Sequence, residues 1–89
     1  MISRELNIIN KLGLHARAAA KFVTTASRFT CNIDIVNNSQ KVNGKSIMGV
    51  MMLAASQGTT LTLIADGNEE NEAVEALDEL VRDYFGEGE

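Results

Sequence analysis

The chain has 89 residues, 45% of them apolar and 22% charged, which bounds it to one small domain that is globular rather than disordered. The lone Cys31 excludes an internal disulfide and suits a reducing compartment, and one histidine with one cysteine argues against a metal site. A formal charge of −4 conceals an asymmetry: residues 1–60 hold seven of the eight basic residues, while residues 61–89 hold ten of the twelve acids. A basic half suggests an acidic partner there, but the bases are too dispersed and aromatics too scarce for nucleic acid. The start, Met1 to Glu5, lacks the apolar core of a signal peptide, and the longest apolar run, Ile47 to Ala55, is too short to span a bilayer. A soluble cytoplasmic protein with no membrane insertion is expected.

Glu5 to Ile9 partly alternates, with Leu6 and Ile8 on one face, and reads as a first strand. Gly13 marks a turn, and from Ala16 to Lys21 every residue is a strong helix former. The only histidine, His15, therefore falls at or just before a helix start, where backbone N–H groups have no intrahelical partner. Free donors on Ala16, Arg17 and Ala18, together with the helix dipole, suit an anion. Arg17 adds a permanent charge and a planar donor set matched to phosphate oxygens. A ring nitrogen beside such groups can hold a phosphoryl group, although a plain surface histidine at a helix start carries the same local signature. The positive helix end favours a neutral, nucleophilic ring. Triad chemistry lacks support, because no Asp or Glu lies near in sequence to orient that ring.

The helix continues with an inward stripe of Ala19, Phe22, Val23, Ala26 and Phe29, leaving Arg17, Lys21, Thr24 and Arg28 on a basic side. That side is either merely solvated or a docking face. Cys31, Ile33 and Ile35 alternate as a half-buried strand, and Asn37-Asn38-Ser39 turns it into a short return strand from Gln40 to Asn43. Ser46 is a favoured N-cap for the apolar run that follows. A short helix that is apolar all round cannot bury every side in so small a domain. Some of Ile47, Met48, Met51 and Met52 must face solvent or a partner, and exposed methionines suit binding to several proteins. Leu61, Leu63 and Ala65 read as a fourth strand, broken by Asp66-Gly67-Asn68, with Asn68 a plausible cap. Ala73, Val74, Leu77, Leu80, Val81 and Tyr84 form the inward stripe of a last helix that Gly86 stops. Its acidic face reads as solvated only.

The order β-α-β-β-α-β-α predicts an α+β open-faced β-sandwich. A four-stranded antiparallel sheet carries three helices on one face, and one domain spans residues 1–89. Gly13-Leu14-His15-Ala16-Arg17, followed by Gly44-Lys45-Ser46-Ile47-Met48-Gly49-Val50-Met51, resembles the HPr family. These are the histidine-containing phosphocarriers of the bacterial phosphoenolpyruvate-dependent sugar phosphotransferase system. The likeness covers nearly the whole chain in length, motif order and spacing, and departs at Ala18, where the family usually has proline.

The resemblance implies the same open-faced sandwich and a phosphoryl group carried on His15 Nδ1. The group comes from phosphoenolpyruvate through enzyme I and passes to IIA proteins. Arg17 would compensate its charge, with N–H groups of Ala16, Arg17 and Ala18 around the oxygens. Ile47, Met48 and Met51 would form the apolar half of a docking surface, with Lys21 and Lys45 beside it. Ser46 would be the regulatory site of an HPr kinase/phosphorylase, with a transcriptional regulator as a further partner. The expected molecule is a monomeric carrier without cofactor, not a stand-alone turnover enzyme. Three other readings share parts of this pattern. One is the paralogous carrier of the nitrogen-related phosphotransferase branch. Another is a regulatory module acting through Ser46 without carrying phosphate, although related regulators lack the histidine. The third is an unrelated α+β ligand-binding domain, which would take no phosphate from enzyme I.

Overall fold

A computed structural model of the chain describes residues 1–88. The elements in chain order are β1 (Ile2–Asn7), α1 (Ala16–Ala26), β2 (Asn32–Asn37), β3 (Gln40–Asn43), α2 (Ile47–Met52), β4 (Thr60–Asp66) and α3 (Glu70–Arg82), closed by a 3-10 turn at Tyr84–Gly86. The four strands form one antiparallel sheet in the order β1-β4-β2-β3. This is the expected open-faced sandwich.

Alternation explains the layering. Leu6, Ile33, Ile35, Leu61, Leu63 and Ala65 are buried on the helix-bearing face, while Glu5, Asn7, Asn32 and Thr60 are exposed. Phe22 of α1, Val50 of α2 and Val74 and Leu77 of α3 close the core from the other side. Arg4 ties β1 to α3 through Glu75 at 2.9 Å and Asp78 at 3.4 Å. The hairpin joining β2 and β3 turns through Asn38, which takes φ +57°. Among the described residues, no helix is long and apolar enough to cross a membrane.

Four local readings change. The first strand starts at Ile2 and ends at Asn7, so Ile8 is buried just beyond it rather than inside it. Helix α1 ends at Ala26, and Phe29 packs on the core from the following turn. The residue preceding α3 is Glu69 in the left-handed region, φ +67° and without a side-chain cap, in place of Asn68. The last helix stops at Arg82, before Gly86. There Tyr84 and Phe85 take φ of +56° and +53°, which turns the chain by more than the helical period allows. Phe85 becomes the buried aromatic of this turn, and Tyr84, expected in the core stripe, is exposed.

Candidate functional site

Residues 10–15 are pinned before the helix begins. Asn10 is fully buried, and its Nδ2 donates to the Gly13 carbonyl at 2.8 Å, while the Gly13 N–H donates back to the Asn10 carbonyl at 3.2 Å. Gly13 has φ +67°, and a Cβ there would lie 2.4 Å from the Ala55 carbonyl oxygen. That same carbonyl accepts the Leu14 N–H at 2.8 Å, fastening the loop to the segment after α2. His15 is then delivered to the N-cap of α1 in an extended conformation, φ −73° and ψ 177°. Its side chain makes no capping bond, so the ring is free to face elsewhere.

The first rung of α1 is the Ala19 N–H donating to the His15 carbonyl at 2.8 Å. The N–H groups of Ala16, Arg17 and Ala18 precede the helical ladder, and no acidic residue occupies the first turn. Ala16 and Arg17 are exposed, whereas Ala18 is wholly buried and presents no surface to solvent. His15, Ala16, Arg17, Lys21, Gly86 and Glu87 line one cleft of about 630 Å³, at which the exposed Leu12 also lies. Arg17 has no ion-pair partner among the described residues. The Lys21 Nζ donates to the Phe85 carbonyl at 2.7 Å, so its ammonium anchors the C-terminal turn instead of projecting as a free charge.

The ring itself meets a carboxylate. His15 Nε2 contacts Glu87 Oε2, and the other oxygen, Oε1, accepts from Asn10 Nδ2 at 3.0 Å. Burial pushes the Glu87 carboxyl up. The hydrogen bonds from His15 and Asn10, with the nearby Lys21 charge, outweigh that and hold it below the usual carboxylate range.

On α2, Ser46 caps the helix as expected, with Oγ accepting the Gly49 N–H at 3.1 Å. Val50 and Leu53 point into the core, and Ile47, Met48, Met51 and Met52 are all exposed, Met48 to 72%. Lys45 Nζ donates to the Phe29 carbonyl at 2.6 Å, and the residue is half-buried.

A family model described as "PTS HPr component phosphorylation site" matches residues 2–83. The chain belongs to the HPr family, the phosphocarriers of the phosphotransferase system. It is 55% identical to phosphocarrier protein HPr of Neisseria meningitidis serogroup A over 89 residues, covering all of both chains. It is 56% identical to HPr of Pseudomonas aeruginosa over 90 residues, again with full coverage of both. Among solved structures, HPr of Thermoanaerobacter tengcongensis superposes with a TM-score of 0.94 at 49% identity, covering 98% of each chain.

For an HPr site, the predicted residues divide cleanly. His15, Ala16, Arg17 and Lys21 share the cleft, while Lys45, Ser46, Ile47, Met48 and Met51 cluster around the start of α2. Glu87 and Asn10 escaped sequence reasoning. Glu87 lies 72 positions from His15 and beyond the Gly86 expected to stop the last helix, so no sequence pattern pointed to it. The only local signal for it was its place between Gly86 and Gly88.

Proposed function

We propose that His15 is the phosphoryl-bearing residue of this phosphocarrier. It would take the group on Nδ1 from phosphorylated enzyme I and pass it to IIA proteins in sugar uptake. The observation that carries this reading is an uncapped histidine at a helix N-terminus, facing an open cleft shared with an arginine that has no ion-pair partner among the described residues. Phosphoryl transfer needs in-line positioning and charge stabilisation more than covalent machinery, and both can come from a few side chains plus a partner. Arg17 is the side-chain donor for the transferring oxygens, and the exposed backbone donors are those of Ala16 and Arg17. Ala18, being buried, contributes by shaping the turn. The exposed apolar side chains of α2 give partners a surface, and their flexible methionines suit several partners. Lys45 and Lys21 flank these surfaces with their heads tied to backbone carbonyls.

Ser46 is the proposed regulatory phosphorylation site, for a kinase/phosphorylase whose product a transcriptional regulator would read. Its half-buried cap position supports this, because a phosphate there meets the positive end of α2 and costs the fold little. A monomer suffices for all of these roles. The test is incubation with phosphoenolpyruvate and enzyme I of the sugar branch, and separately of the nitrogen-related branch. Acid-labile, base-stable phosphate on the wild type and its absence from a folded His15→Ala is the expected result. Acid-labile label persisting in His15→Ala would sink the assignment.

A further inference from the structure

We propose that Glu87 is a positioning residue for His15. Its carboxylate, clamped by Asn10, keeps the ring proton on Nε2 and offsets the charge that the ring gains when Nδ1 takes a phosphoryl group. The inference rests on the carrier reading and extends it to the residue that prepares the nucleophile.

A neutral imidazole has one N–H and one lone pair, and the neighbour of each nitrogen decides which is which. An ionised carboxylate only accepts, so the nitrogen facing Glu87 Oε2 carries the hydrogen, and that nitrogen is Nε2. The lone pair is then on Nδ1, which has no hydrogen-bond partner among the described residues. When Nδ1 attacks, the nitrogen–phosphorus bond forms as the bond from phosphorus to the donor's nitrogen breaks. The electron pair of the broken bond leaves with the donor, and Nε2 keeps its proton. The ring becomes an imidazolium, and the carboxylate at Nε2–H is placed to stabilise it. This is the part a buried carboxylate plays behind a catalytic histidine in hydrolases.

Three features show that the carboxylate is held there and is not resting by chance. Asn10 is fully buried and shares its Nδ2 between the Gly13 carbonyl and Glu87 Oε1, at 2.8 and 3.0 Å. Phe85, two residues earlier, is fully buried, and its carbonyl is fixed by Lys21. The Glu87 N–H closes the turn onto the Tyr84 carbonyl at 2.9 Å. The segment carrying Glu87 is thus anchored to the core, to α1 and to the loop that delivers His15.

The test uses two donors, phosphorylated enzyme I and potassium phosphoramidate, the second needing no docking surface. Glu87→Ala should slow single-turnover phosphorylation by about 10–100-fold with both donors, the size of loss seen when the orienting partner of a metal-bound histidine is removed. Glu87→Gln should fall between, since a carboxamide oxygen can accept from Nε2–H and brings no charge. In ring-selective nitrogen-15 spectra, the slowly exchanging Nε2–H of the wild type should be lost in Glu87→Ala. Transfer as fast as wild type or faster, a defect with enzyme I alone, or an unchanged Nε2–H signal would each overturn the role of Glu87. His15→Ala run alongside keeps the readings apart. If it still takes up acid-labile phosphate, the carrier assignment itself fails; if it alone loses uptake, only the assignment of Glu87 does.

Discussion

Gly13 couples backbone conformation to the placement of the nucleophile. An L-residue there would face both a left-handed φ of +67° and a Cβ approach of 2.4 Å to the Ala55 carbonyl. Gly13→Ala is expected to cost about 1–3 kcal/mol in chemical denaturation and to slow phosphorylation by displacing His15. Arg17 is exposed and has no ion-pair partner among the described residues, so its removal leaves the fold untouched. If it meets the transferring oxygens, Arg17→Ala should cost about 2.7–4 kcal/mol in the transfer step, read as a single-turnover rate at saturating donor. A purely docking role would instead change the donor concentration needed for half-maximal rate. Ala18 has no hydrogen bond to lose at its N–H. Ala18→Pro should therefore raise unfolding stability by about 0.4–1 kcal/mol through the unfolded chain while retaining phosphorylation. A mutant that folds but takes no phosphate would mean that this turn departs from the family's.

Among the elements, α2 has two jobs that Ser46 brings together. Its hydroxyl satisfies the Gly49 N–H, and the exposed Ile47 and Met48 follow immediately. Ser46→Ala should lose about 1 kcal/mol of stability, whereas aspartate is itself a good N-cap, so Ser46→Asp should fold as wild type. The added charge beside the apolar face should nonetheless raise the enzyme I concentration needed for transfer. Equal transfer curves for Ser46→Asp and Ser46→Ala would leave Ser46 as a cap alone. Much of this was legible in the sequence because it is local: the cap three residues before Gly49, the helix formers after His15, and a run too apolar to bury entirely. What was not legible depends on chain reversal. Two non-glycine residues in the left-handed region, Tyr84 and Phe85, interrupt the 3.6-residue period, so extrapolating that period chose the wrong aromatic for the core. The same reversal sends Glu87 back to His15, and no spacing rule links positions 72 apart.

Across the whole molecule, the C-terminal segment makes stability depend on pH with a definite sign. The folded Glu87 carboxyl is more acidic than its unfolded counterpart, so the unfolded chain takes the proton first as pH falls. Its contribution is therefore complete above the unfolded value, about 4.3, and disappears as pH drops through the lower folded value. The stability gap between wild type and Glu87→Ala, measured by denaturation, should be present at about pH 7 and close towards about pH 3. The sheet order has a further consequence, for synthesis. Strand β4 sits between β1 and β2, so β1 waits for the last strand of the sheet before it has a neighbour. A nascent chain ending at Gly58 can form α1 and the β2–β3 hairpin, but it leaves Leu6, Ile33 and Ile35 without the strand that covers their edges. Completion of the sheet is thus held back until β4 has been made, and the unfinished chain is the form most in need of chaperone protection.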